Sequence, residues 1–271
     1  MLIKSLKQEY FIGLIINRTN AKMNGFLFDL GIVGITYLYI IFTIFIPFRL
    51  YKKQKISKFA ARKTVHMSAG LAILSSPFYY WPFWPTIIAA SLTLLVYFSS
   101  KESKIKQLKD LYDVISEEQE EGLKRAFLQG PFFYCLSITL LVSIFAIFAH
   151  DQFYFPIAGI LIMIVADTLA SVIGKRWGKI GLSLPWTNSK RTLEGSSTFF
   201  VSACLLCFLS FFLFGFLIPT FQDPLSFSTI LIYSLITSVI ATIIELISPS
   251  TYDDLTVPIG STLIIYLLTL L

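Results

Sequence analysis

Charged side chains are scarce in this chain: Asp, Glu, Lys and Arg make up 14% of its 271 residues, against 55% hydrophobic. A water-soluble domain of this size has no core large enough to absorb so much apolar side chain, so an ordinary soluble fold is excluded. Cysteine is scarce as well. Cys135, Cys204 and Cys207 lie inside apolar runs, without a nearby histidine or a second cysteine pair, which points away from a zinc site or a disulfide framework. No internal repeat, low-complexity tract or phosphate loop of the GxxxxGK[ST] type occurs. No cleavable secretory signal is expected, because the first apolar stretch is short, carries charges and lacks a small-residue cleavage site.

What the chain does have is long apolar runs that do not alternate, as barrel strands would. In lipid the backbone must satisfy its own hydrogen bonds, and about 20 apolar residues cross the hydrocarbon as a helix. The fold class expected is therefore all-α, a polytopic membrane helix bundle. About eight spans are expected, near 27–48, 66–82, 85–100, 130–149, 153–174, 197–218, 229–247 and 256–271. The second and third are short, because Pro77, Pro82 and Pro85 interrupt SSPFYYWPFWP in a Trp- and Tyr-rich turn typical of a membrane interface.

Basic residues are unevenly placed. The segments Arg49 to Lys63, Lys101 to Arg125 and Lys175 to Arg191 hold 18 of the 22 Lys and Arg, while HDQFYFP and IPTFQDPLSFS hold none. With eight crossings the three basic segments share one face, which the positive-inside rule makes cytoplasmic. The same rule accounts for the net charge of +6, so nucleic acid is not an expected partner. Lys4, Lys7, Arg18 and Lys22 break the pattern. Residues 1–25 are read as an N-terminal extension, either an interfacial amphipathic segment or sequence upstream of a true start at Met23, and residues 26–271 as a single membrane-embedded catalytic domain. KESKIKQLKDLYDVISEEQEEGLKRAF mixes both charge signs at helical spacing and reads as a solvated connecting helix.

Chemistry concentrates on the basic face. A carboxylate retained in an apolar span costs roughly 2.5–3.5 kcal/mol on insertion scales, so it marks a polar site more often than not. Asp167 and Glu245 both lie near the cytoplasmic ends of their spans. Asp167 opens ADTLASVIGKRWGK, with Ala170, Gly174 and Gly178 following at one-turn steps, a stripe of small residues that by itself would serve helix packing. The loop that follows adds Lys190, Arg191, Thr192, Glu194, Gly195 and Ser196. Cations, hydroxyls, backbone amides and carboxylates together are what phosphoryl transfer from a nucleotide requires.

The stretch DTLASVIGKRWG, eleven residues, then KRTLEGS closely resembles the CTP-binding signature of the polyprenol kinase family, which spans dolichol, phytol and farnesol kinases and a CTP-dependent diacylglycerol kinase. The spacer is somewhat longer than in the dolichol kinase form, and Arg191 replaces a lysine. RKTVHMSAG and ELISPSTYDDLTVPIGS resemble two further family segments, with Asp254 standing where the family has Asn. The resemblance covers roughly residues 62–260 and implies a CTP-dependent lipid kinase acting on a long-chain isoprenoid alcohol. It implies nucleotide contacts from Arg62, Lys63, Ala170, Gly174, Gly178, Lys190, Arg191, Thr192, Glu194, Gly195 and Ser196. Asp167, Glu245 and Asp253 would hold Mg²⁺, and Asp167, His66 and Glu245 form the catalytic set, with His66 and Asp167 both candidates for the base.

Several alternatives stay open at this level. Arg62 and Lys63 also fit as positive-inside flanks, His66 as a cap or headgroup contact, and Asp253 and Asp254 as a polar turn. Phytol, geranylgeraniol, dolichol, undecaprenol and diacylglycerol are all possible acceptors. A phosphatidate cytidylyltransferase would also use CTP and Mg²⁺, but its GHGGxxDRxD signature is missing. A transporter would explain intramembrane acids, though the polar residues gather on one face and do not line a midplane path. The expected location is an integral, multi-pass protein with its site on the cytoplasmic face, in a prokaryotic plasma membrane or in the endoplasmic reticulum or a plastid.

Overall fold

The computed structural model describes residues 2–100, 103–115, 129–182, 184–187, 191–218, 222–249 and 252–270, with 2–23, 107, 110, 111, 114, 115 and 129 as backbone only. Helices dominate, as lipid-exposed backbone demands. α1 (Leu2–Lys52) is one continuous helix, and its stretch Asn24–Lys52 is long and apolar enough to span a membrane. It passes residue 25 without a break, so the expected N-terminal extension continues the first helix. Four more helical stretches are of spanning length: Gly130–Phe148 in α5 (Gln129–Phe148), Tyr154–Trp177, Leu193–Leu217, and α9 (Phe227–Ile247).

The remaining expected spans are built differently. Instead of a single apolar helix over 66–82, the chain makes α2 (Lys58–Gly70), capped by Ser57, which runs into a 3₁₀ segment Leu71–Phe78. Pro77 denies the α-helical ladder an amide donor near the end of this segment. After a turn at Tyr79–Phe83, α3 (Trp84–Phe98) returns as a shorter apolar helix, and α10 (Asp253–Thr269) is also short of a full span. The connector is less solvated than its charges suggest. α4 (Lys106–Ile115) packs against α2 and α1, and Tyr112 is buried in the core; 116–128 lie outside the described residues.

The turn at Tyr79–Phe83 is held by a third intramembrane carboxylate, Asp29 on α1, which is 1% exposed. Its two oxygens accept from the amides of Tyr80 and Trp81, both at 2.9 Å. A carboxylate buried in a span thus serves two amides that the turn leaves without helical partners.

The Tyr154–Trp177 helix is the axis of the bundle: 56% of it is buried, against 33% or less for the other long helices. It comprises α6 (Tyr154–Leu161), a π-helical turn Ile162–Ala166, and α7 (Asp167–Trp177). Packing around it is tight. A Cβ on Gly159 would collide with Thr262 Oγ1, and one on Gly70 with the Tyr134 hydroxyl. Large apolar side chains such as Leu38, Phe42, Leu94, Val201, Leu205 and Leu231 face outward, the pattern of a protein whose solvent is lipid. The molecule is an all-α membrane helix bundle. Cys204 and Cys207 form a Cys-Leu-Leu-Cys step on α8 (Leu193–Ser210); both are free thiols, and among the described residues no cluster of His, Cys, Asp and Glu gathers as a metal site.

Candidate active site

The chain leaves α7 at Gly178 and returns through a two-stranded antiparallel hairpin, β1 (Gly181–Leu182) with β2 (Arg191–Thr192), directly into α8. Thr192 caps α8, its hydroxyl accepting from the Gly195 amide at 3.2 Å. Glu194 sits in the first turn and accepts from the amides of Lys179, at 3.0 Å, and Ile180, at 3.4 Å. It ties the end of α7 to the start of α8 and is not among the residues that line the cavity described below.

The glycines make this approach possible. A Cβ on Gly178 would collide with the Gly174 carbonyl and meet Thr192 at 2.5 Å; one on Gly195 would meet the Ala170 carbonyl at 3.1 Å. The small-residue stripe therefore brings α7 and α8 into backbone contact. Gly174 and Gly195 also line an open space between the helices, and Gly178 is not part of that lining.

That space is a cavity of about 410 Å³ lined by Asp167, Ala170, Ser171, Gly174 and Lys175 from α7, Arg191 to Ser196 in part, Glu245 from α9 and Asp253 from α10. The α7 contributors fall at i, i+3, i+4, i+7 and i+8, a single helical face. That spacing also identifies Ser171 and Lys175, which the resemblance does not assign. The π-helical turn immediately before Asp167 is a local distortion of the kind often found at functional sites.

Ion pairs knit the cavity wall together. Lys63 Nζ donates to Asp167 Oδ2 at 3.1 Å, linking α2 to α7. Arg191 is largely buried and pairs through Nε with Glu245 Oε1. Its NH1 donates to the carbonyls of Leu246 (3.0 Å) and Ser248 (2.9 Å), and its NH2 lies 3.7 Å from Asp253. Arg191 therefore satisfies carbonyls at the C-terminal end of α9, as a cation there is suited to do, as well as facing the cavity. Lys175 rests over the Phe59 ring at 4.5 Å, its ammonium on the cavity rim.

His66 Nε2 is 4.0 Å from Asp254 and stacks against Tyr134, whose hydroxyl donates to the His66 carbonyl at 2.7 Å. Arg62 and His66 line a separate apolar groove, not the polar cavity. Consecutive helical residues point about 100° apart, which is why Arg62 and Lys63 part company. Lys190 lies outside the described residues.

The donor set suits a divalent cation that shares its shell with phosphate. Asp167, Glu245 and Asp253 line the same cavity, and Glu245 Oε2 is buried without a hydrogen-bond partner. Yet among the described residues no three acidic, His or Cys side chains converge closely enough to hold a metal by themselves. Mg²⁺ is commonly held by one or two carboxylates and completed by waters and substrate phosphates.

Fold and site together define a membrane-embedded helix bundle with a cavity of mixed charge at the helix ends. The chain is 29% identical over 209 residues to the phytol kinase of Synechocystis sp., covering 75% of this chain and 76% of that protein. It is 28% identical over 162 residues to the dolichol kinase of Saccharomyces cerevisiae, covering 60% of this chain and 29% of that longer protein. An uncharacterized protein of Methanocaldococcus jannaschii is 29% identical over 149 residues, 54% of this chain and 70% of that one. These matches relate the chain to the polyprenol kinase family. No protein-family model and no solved structure matches it.

Proposed function

We propose that this protein is a lipid kinase that transfers the γ-phosphoryl group of CTP to the hydroxyl of a long-chain isoprenoid alcohol. The observation that carries the reading is the convergence of three separated segments, Asp167 to Lys175, Arg191 to Ser196 and Glu245 to Asp253, on one cavity of about 410 Å³. Relatives named phytol kinase and dolichol kinase support a lipid kinase of this type, and the choice of CTP rests on the sequence resemblance.

Lys175 and Arg191 supply positive charge to the triphosphate, and Thr192, Ser196 and the first-turn amides of α8 supply hydrogen bonds; Lys190, next to Arg191 in sequence, would add a further cation. Mg²⁺, held by Asp167 with Glu245 or Asp253, would neutralise charge on the transferring group. Lys63 fixes the Asp167 carboxylate, and Arg191 fixes that of Glu245. Transfer through a loose transition state asks mainly for alignment and charge neutralisation, so a weak base suffices for the acceptor proton; Asp167 and His66 are the candidates. By the positive-inside rule this end of the bundle faces the cytoplasm.

The test is incubation of purified protein in nanodiscs with Mg²⁺, γ-labelled CTP and a panel of isoprenoid alcohols, diacylglycerol and phosphatidic acid. Label in an isoprenoid alcohol supports the reading and identifies the acceptor. Label in diacylglycerol alone, or in no lipid, refutes it.

A further inference from the structure

The apolar groove lined by Arg62 and His66 is separate from the polar cavity. It measures about 90 Å³ and runs between α1, α2, α3 and α5, with Ile44, Val65, Val96 and Tyr134 among its walls. A second apolar space of about 40 Å³ shares Ile40, Ala69, Ala89, Leu92 and Ile138 with it and continues to Thr36, Ile73 and Val142. The four helices agree on direction. From the polar end inward the walls progress from Ile44 to Thr36 on α1, from Arg62 to Ile73 on the α2 segment, from Val96 to Pro85 on α3, and from Pro131 to Val142 on α5. With about 90 and 40 Å³, the two spaces together hold somewhat less than a benzene-sized cavity of ~150 Å³, roughly five chain carbons.

One end of this path is polar and unsatisfied. His66 Nε2 is buried and has no hydrogen-bond partner. In a neutral imidazole protonated on Nδ1 this nitrogen is an acceptor, and an alcohol O–H is a matching donor. The same ring lies 4.0 Å from Asp254, the neighbour of the cavity-lining Asp253, so the groove's polar end adjoins the phosphate cavity. The surrounding lipid is as apolar as the groove, so burying a tail gains little; the hydroxyl contact must supply the selectivity.

We propose that this groove is the acceptor site: it takes about the first five carbons of a single-chain lipid alcohol, with the hydroxyl on His66 Nε2 and the rest of the tail in the bilayer. The identification of the occupant as the phosphoryl acceptor rests on the kinase reading; the groove's preference for a single-chain alcohol does not. A two-chain lipid such as diacylglycerol does not fit one narrow path.

The test is photocrosslinking in nanodiscs with a farnesyl-length alcohol carrying a diazirine near its fourth carbon, with adducts mapped by peptide mass spectrometry. Adducts are expected on groove residues such as Ala89, Leu92 and Ile138. Unlabelled alcohol should compete, and the methyl ether of the same chain, which cannot donate to His66, should compete about tenfold less well. Ala69→Phe, which fills the junction of the two spaces, should abolish the adducts; Ala69→Ser, which leaves the space open, should retain them and controls for folding. Adducts confined to outward residues such as Leu38, Phe42 and Leu94, or equal competition by the ether, would overturn the proposal even if the same alcohol were phosphorylated. Groove adducts with no phosphorylation of any alcohol would uphold the site and refute the kinase.

Discussion

Lys63 on α2 and Asp167 on α7 meet at 3.1 Å, so the first family-like segment and the second are joined through the carboxylate on which the proposed chemistry depends. Asp167→Asn keeps the shape and removes the charge. Turnover with labelled CTP should fall by on the order of 10²–10³-fold. The ion pair is partly exposed, so the unfolding free energy should change by less than about 1 kcal/mol. Thermal unfolding in detergent, measured beside the rate, separates the two effects.

Arg191 is held by Glu245, by two carbonyls at the end of α9 and, at longer range, by Asp253. Arg191→Met leaves the Glu245 carboxylate buried without its partner and should destabilise the protein by about 3–5 kcal/mol. The double variant with Glu245→Met should recover a large part of that stability and none of the activity. Denaturation midpoints for the three variants check the cycle.

Gly178 and Gly181 are three residues apart and should respond oppositely to alanine. A Cβ at Gly178 collides with the Gly174 carbonyl and Thr192, whereas nothing lies within 4 Å of one at Gly181. Gly178→Ala should cost about 1–3 kcal/mol and raise the KM for CTP by separating α7 from α8, while Gly181→Ala should leave both unchanged. Melting temperatures and CTP titrations give the comparison.

Asp29→Ala should strip both amides of Tyr80 and Trp81 of their acceptor and destabilise the bundle by about 2–4 kcal/mol. The nucleotide cavity is lined by other elements, so the KM for CTP in the surviving folded protein should stay at the wild-type value. Limited proteolysis at the Tyr79–Phe83 turn, faster in the variant, would locate the loosening.

The site was legible in the sequence wherever its residues share a local period. Asp167, Ala170 and Gly174 repeat at one helical turn, and Thr192 to Ser196 opens a helix with a capping threonine. Ser171 and Lys175 obey the same period and were available to the same argument. Asp29 was less so, since its partners are backbone amides across a turn about fifty residues later, and no side-chain pattern announces them. Arg62 and Lys63 look equivalent as a basic pair, and only the helix phase sends one to the apolar groove and the other to Asp167. The shape of the second and third apolar segments depended on how Pro77 and its neighbours settle into a 3₁₀ segment, a tertiary outcome that hydropathy does not encode.

The central claim is phosphoryl transfer at this cavity, and the most direct test uses CTP labelled in parallel at the α- and γ-phosphates with one isoprenoid alcohol in nanodiscs. The account predicts lipid-borne label from the γ-phosphate alone, in equal amount to the CDP formed, and its loss in Asp167→Asn. Label carried over from the α-phosphate, or γ-label transfer that survives Asp167→Asn undiminished, would contradict it.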